Sequence, residues 1–218
     1  MLPNLIVPVL NRYDLLRRMF QSIHYPVRDL LIIDNGGQLH DVGGSNFVEN
    51  VTVLNLPSNL GVASSWNLGI KLFPHDNRWF FASNDAWFSG DGLQSLSEAR
   101  RDEITVSDVF PFWHVFCVGE TAFQRLGFFD EALHPAYHED KDYERRAAHA
   151  GVPIRKIPIA GGHDNSSTIR SDNNLLTINN RTFSENTVYY NNKMAREDYG
   201  EGRWDLGRRR RNSWDAPR

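Results

Sequence analysis

Apolar runs of strand length alternate with stretches of helical periodicity over the first two thirds of the chain, and three of those runs stop on an Asn or Asp. Leu5 to Leu10 is closed by Asn11. Leu15, Leu16, Met19, Phe20 and Ile23 then recur at helical spacing. Leu30 to Ile33 ends on Asp34-Asn35-Gly36-Gly37, a turn signal. Val51 to Leu56 reads as a third strand. Val62 to Phe73 reads as a helix with Asn59 as its N-cap. Trp79 to Ala82 is a fourth strand, running into Ser83-Asn84-Asp85. This alternation predicts an α/β chain with a parallel sheet flanked by helices.

The pattern then changes. Ile104 to Val106 and Val115 to Val118 read as strands and Thr121 to Leu126 as a short helix. Glu139 to Ala150 reads as a solvated helix, stopped by Gly151 with Pro153 beyond it, and Asp142 with Arg146 forms an i,i+4 ion pair. Asn pairs at 173–174, 179–180 and 191–192 mark the last stretch, with a helix expected around Thr182 to Glu197. Residues 201–218 carry six arginines against three acids, with Trp204 and Trp214 beside them. That run reads as a basic, flexible tail or as a hook for an anionic acceptor. The expected division is one domain over 1–200 and a tail over 201–218.

Composition narrows the class. A chain of 218 residues can bury roughly 70% of its unfolded surface, and 40% hydrophobic with 23% charged residues is ordinary for a globular protein. A net charge of -3 argues against a surface built as a whole for phosphate backbone. No window approaches the apolar length of a membrane span, and the start MLPNLIVPVLNR lacks the features of a leader peptide. Cys117 alone allows no internal disulfide. A cytoplasmic protein is the expectation.

In open α/β sheets ligands bind beyond the carboxyl ends of the strands. The residues there are Asn11-Arg12, Asp34-Asn35 and Asn84-Asp85. Asn and Asp end strands for turn chemistry alone, but three such ends on one edge point to a ligand cleft. No G-x-G-x-x-G follows the first strand and no G-K-[ST] loop is present, which argues against a dinucleotide fold or a P-loop. A phosphate ligand would need another counter-charge. Magnesium or manganese on Asp85 could supply it, since such ions commonly bridge one or two carboxylates to substrate phosphates.

The segments LIVPVLNR, LLIIDNGG, NLGVASSWNLGI, WFFASNDAWF and FFDEALHPAYHEDKDYERRAAHAG resemble, in this order, the family 2 glycosyltransferases of the GT-A fold. The similarity extends to GGHDNSST and more loosely to YYNNKMAREDYGEG, spanning about residues 4–200. The resemblance implies a mixed, mostly parallel sheet flanked by helices. It also implies inverting transfer, of hexosyltransferase type, from a nucleotide-diphosphate sugar with a divalent metal on the diphosphate. By the same resemblance, Pro8, Val9 and Asn11 match the donor-contacting end of the first strand, and Asp34 the acid that reads the nucleotide base. Gly61 and Asn67 match residues near the nucleotide, and Asn84 is carried as a donor contact. Asp85 matches the last acid of the metal motif, His163 a histidine that in some relatives completes the metal site, and Asp140 the catalytic base.

Two departures stand out. Ser83 and Asn84 leave Asp85 as the only carboxylate of the metal motif, and Trp66 stands where many relatives carry an arginine. Glu139 and Asp142 are the alternative bases to Asp140. Trp87 and Trp113 are candidate sugar contacts, because flat apolar rings suit sugar faces. The sequence expectation is a metal-dependent glycosyltransferase acting on a glycan precursor, a protein or modified DNA. The alternative is an inactive sugar-nucleotide or glycan binding protein of the same fold.

Overall fold

A computed structural model describes residues 1–90, 92–164 and 173–200. The chain runs β1 (Leu2–Val9), α1 (Tyr13–Gln21), β2 (Val27–Asp34), β3 (Val48–Asn55), α2 (Val62–Leu72), β4 (Arg78–Ala82), β5 (Ala86–Phe88) and α3 (Gly92–Ser97). It continues through β6 (Ile104–Ser107), β7 (Val115–Gly119), α4 (Glu120–Leu126), α5 (Glu139–Ala150), β8 (Ile154–Ile157), β9 (Gly161–His163) and α6 (Asn173–Ala195). Seven strands form one sheet in the order β3-β2-β1-β4-β7-β6-β8. β1 pairs in parallel with β2 and β4, β2 with β3, and β6 with β8, while β7 lies antiparallel between β4 and β6. The sheet is thus mixed and mostly parallel.

The unbroken apolar runs of the central strands follow from cover on both faces. Leu5, Val7, Leu30 and Ile32 join one core with Leu16, Met19 and Phe20 of α1. Their neighbours Ile6, Leu31 and Ile33 join the opposite core with Trp66 and Ile70 of α2 and with Tyr143 and Ala147 of α5. Side-chain alternation along each strand feeds both layers. At Gly69 an added Cβ would stand 2.6 Å from the Ile6 side chain, so a glycine lets α2 lie directly on β1.

Four details depart from the sequence reading. The cap of α2 is Gly61, and the Asn59 side chain instead accepts a hydrogen bond from the Gly61 amide one turn earlier. β5, β8, β9 and α3 are short elements whose patterns are too brief to read from periodicity. α6 begins at Asn173, nine residues before the expected start, so the Asn pairs at 173–174 and 179–180 also lie within the helix. The Asp142–Arg146 pair forms as expected, at 2.9 Å, but it is buried, with side chains 0% and 1% exposed. The tail at 201–218 lies outside the described residues.

Candidate functional site

The carboxyl ends of β1 and β2 are in register, Val9 beside Asp34, and the polar residues that follow gather there. Pro8 is half-buried and Val9 buried at the end of β1. Asp34 is fully buried. Its carboxylate accepts hydrogen bonds from the Tyr13 hydroxyl at 2.8 Å and from the amides of Gly36, Gln38 and Leu39 at 3.0, 2.8 and 2.7 Å. Burial first, then this bond to Asp34, pushes the Tyr13 phenol up to about 12. Asp34 therefore anchors the turn that closes β2. Asn35 reaches across: its Oδ1 accepts from the Leu60 amide at 2.8 Å and its Nδ2 donates to the Ser65 hydroxyl at 3.0 Å. Asn84 Nδ2 donates to the Asn11 carbonyl at 3.2 Å, which ties the end of β4 to the end of β1.

Asp85 and His163 come together as the resemblance implied. β5 and β9 pair antiparallel, with Ala86 opposite His163, which sets Asp85 beside the imidazole. His163 Nε2 lies 2.8 Å from Asp85 Oδ1, and both side chains are buried. The Asp164 amide donates to the Asp85 carbonyl at 3.2 Å, and Arg18 pairs with the Asp164 carboxylate at 2.5 Å. The buried His114 ring lies 5.2 Å from the His163 ring, centroid to centroid. Its Nδ1 is 2.6 Å from the Pro111 carbonyl, so Nδ1 carries the proton. Burial holds His114 below the usual histidine range. Among the described residues no group of three His, Cys, Asp or Glu side chains is close enough to hold a metal ion. One carboxylate and one imidazole in contact form a two-ligand donor set. Such a set would suit a divalent ion that takes its remaining ligands from outside the protein. Trp87 lies next to this pair, half-exposed, with Gly162 packed against its indole.

The acids at the start of α5 occupy three different environments. Asp142 is fully buried and paired with Arg146 at 2.9 Å and Lys193 at 2.9 Å. Asp140 is half-buried, and its Oδ1 accepts from the Lys141 amide. Glu139 is buried, and its Oε2 has no hydrogen-bond partner among the described residues. Burial, with the Asp140 charge adding, pushes the Glu139 carboxyl up to about 8. Before it, Tyr137 and His138 both adopt left-handed backbone, φ 80° and 72°. Non-glycine residues in that region store strain that the surrounding structure must hold, and such positions cluster at functional sites.

Other expected residues occupy structural positions. At Gly61 (φ 82°) a Cβ would stand 2.8 Å from the Pro135 carbonyl, and the Val62 amide donates to that carbonyl at 2.7 Å. Gly61 thus lets the start of α2 meet the loop that leads to α5. Asn67 is buried, exchanging hydrogen bonds with the Phe129 backbone at 2.9 Å in both directions. Trp66 packs into an aromatic cluster with Phe81, Phe116 and Phe129. Trp113 is buried, its indole N–H donating to Glu144 at 2.7 Å. Sequence reasoning overlooked His114, Lys193 and the α6 residues that touch the turn before α5. The recurrence of Phe183, Asn186, Thr187 and Tyr190 at i, i+3, i+4 and i+7 was the signal available for the last group.

Solved structures share this architecture. The fold is GT-A. GalNAc-T7 with UDP, GalNAc and Mn2+ superposes with a TM-score of 0.57 at 11% identity, over 75% of this chain and 44% of that one. Glucosyl-3-phosphoglycerate synthase from Mycobacterium tuberculosis, with Mn2+, UDP and phosphoglyceric acid, gives 0.55 at 12%, over 86% and 78%. A mannosyltransferase from Pyrobaculum calidifontis, with GDP-Man and Mn2+, gives 0.53 at 13%, over 72% and 55%. The chain thus spans about half the length of the mannosyltransferase and of GalNAc-T7. No family model and no curated protein sequence matches the chain.

Proposed function

We propose that this GT-A chain is a family 2-like, inverting glycosyltransferase that moves a hexosyl group from a nucleotide-diphosphate sugar to an acceptor hydroxyl. The observation that carries the reading is the Asp85–His163 contact beside the carboxyl ends of β1 and β4. It is a donor set suited to manganese or magnesium, in a fold whose solved examples include complexes of Mn2+ with GDP-Man or with UDP. Asp85 and His163 would hold the ion. When bound, it supplies Lewis-acid stabilisation of the departing diphosphate. Asn11, Asn84, Pro8 and Val9 line the donor edge, and Asp34, Gly61 and Asn67 shape the turns around it. Asp140 accepts the proton of the acceptor hydroxyl as its oxygen bonds to the anomeric carbon and the bond to the diphosphate breaks. The acceptor is a glycan precursor, a protein or modified DNA, met in the cytoplasm, and the arginine-rich run at 201–218 is the part of the sequence suited to an anionic acceptor.

The alternative is a sugar-nucleotide binding protein without turnover, favoured by the single carboxylate of the donor set. Calorimetry with UDP- and GDP-sugars, with and without manganese, together with an assay of nucleotide release, separates the two. Asp85→Ala is expected to abolish the manganese-dependent part of donor affinity. Equal metal-dependent affinity in that variant overturns the assignment of Asp85, and tight binding without any nucleotide release selects the alternative.

A further inference from the structure

Residues 136–138, which lead into Glu139 and Asp140, make their side-chain contacts with α6. Asn186 Nδ2 donates to the Ala136 carbonyl at 2.8 Å. The His138 ring stacks on Tyr190, 5.2 Å between centroids at 10°, and packs against Phe183 at 5.3 Å. Phe183 also meets the Tyr137 ring edge-on at 5.2 Å. His138 Nε2 lies 2.8 Å from the Thr187 hydroxyl oxygen. That hydroxyl is itself 2.8 Å from the Phe183 carbonyl. A carbonyl only accepts, so the single Thr187 proton goes to it, and Thr187 Oγ1 must accept from His138. His138 therefore carries its proton on Nε2. Its Nδ1 keeps a bare lone pair and has no partner among the described residues, although the residue is 7% exposed.

We propose that Thr187 and Asn186 are positioning residues of the acceptor end of the site. They lock His138 in the Nε2–H tautomer and hold the strained 136–138 turn, so that Glu139 and Asp140 leave α5 in one fixed geometry. The lock stands on these contacts alone, and its catalytic consequence rests on the transferase reading. Two consecutive residues at the end of the left-handed turn, His138 and Glu139, each carry a buried polar atom with no partner among the described residues. Orphaned buried acceptors are costly and rare, and a fold that needed only packing there would satisfy them. Neutral His138, held below its usual range chiefly by burial, keeps the Nδ1 lone pair available. The same device recurs wherever a carboxylate or hydroxyl fixes which imidazole nitrogen is bare.

The test uses Thr187→Val, which keeps the shape and loses the oxygen, and Thr187→Ser, which restores it. Nitrogen-15 spectra of histidine-labelled full-length protein, with His138 assigned from His138→Gln, read the tautomer directly. Wild type and Thr187→Ser are expected to show Nε2 protonated and Nδ1 bare, and Thr187→Val a mixture. Nucleotide release from UDP- and GDP-sugars with manganese is the second readout. The kcat of Thr187→Val is expected to fall by up to about 10²-fold, the cost of a small misplacement of a reacting group, with the donor KM unchanged. Recovery of kcat in Thr187→Ser completes the expected set. If Thr187→Val unfolds, Thr187→Ala removes the same oxygen without adding bulk. An unchanged tautomer, or a shifted tautomer with unchanged kcat, overturns the proposal. Wild-type protein that releases nucleotide from none of these donors, with the lock intact, overturns the transferase reading and the catalytic role of the lock with it.

Discussion

The first turn of α5 holds two kinds of acid. On the side facing the core, Asp142 is enclosed by Arg146 and Lys193, and Lys193 also reaches Asp130 at 2.7 Å, where the Tyr189 hydroxyl donates at 2.9 Å. Every charge there has an opposite charge in contact. On the side facing the turn, Glu139 has an oxygen without a partner among the described residues and Asp140 stays half-buried beside it. Both sides are acidic, and each holds one buried carboxylate. What separates them is whether the fold has already satisfied the carboxylate. A paired buried charge holds structure together, and removing its partner costs more than the pair contributed. A carboxylate left without a counter-charge remains able to take a proton.

Substitutions can break this contrast at either side. The largest expected effect is on turnover: Asp140→Asn should reduce nucleotide release by about 10²–10⁴-fold, the usual size of a general-base contribution, with donor affinity little changed. Normal turnover in Asp140→Asn, with loss in Glu139→Gln, would move the base by one residue. Next comes stability. Lys193→Met leaves Asp130 and part of Asp142 buried without their cation, and urea unfolding should show a loss of about 3–5 kcal/mol.

Glu139 gives a pH-dependent effect. Its carboxyl is pushed from the ordinary 4.5 to about 8, so the folded state holds its proton more tightly than the unfolded chain. Its stabilising contribution is present below 4.5 and is lost as pH rises towards 8, at up to about 1.4 kcal/mol per pH unit. Glu139→Gln should therefore gain on wild type across that window and no further above it. Parallel denaturant curves at several pH values check this, and a constant difference between the two proteins would contradict it. The smallest effect is expected at Arg181, which pairs with Glu185 on the exposed face of α6 at 3.8 Å. Arg181→Ala should cost about 0.3–0.5 kcal/mol in the same measurement, the scale of an exposed pair against a buried one.

The contrast also marks where sequence stops being informative. The strand ends were legible because an apolar run followed by Asn or Asp is a local pattern, and Asp34 and Asp85 lie where that pattern placed them. The contact of His163 with Asp85 was reached through resemblance; nothing local links the two residues. Asp142 and Arg146 were legible as an i,i+4 pair, but their burial was not. The cation that completes their enclosure, Lys193, sits on a helix whose Asn-rich sequence shows little amphipathic pattern. Trp113 illustrates the opposite problem. An aromatic residue near site segments reads equally as core or contact, and only packing against Phe116 and Tyr143 decides it.

The dependence of the α5 turn on α6 also sets an order of events. A chain made from its amino terminus can assemble β1 to β7 and both core layers while residues 183–193 are still unmade. The 136–138 turn would then lack Asn186, Thr187 and the rings that hold it, and Asp142 would lack Lys193. Thr187 follows His138 by 49 residues. The turn that presents Glu139 is therefore completed late, by a helix made some fifty residues after it, while the sheet beneath can already be in place.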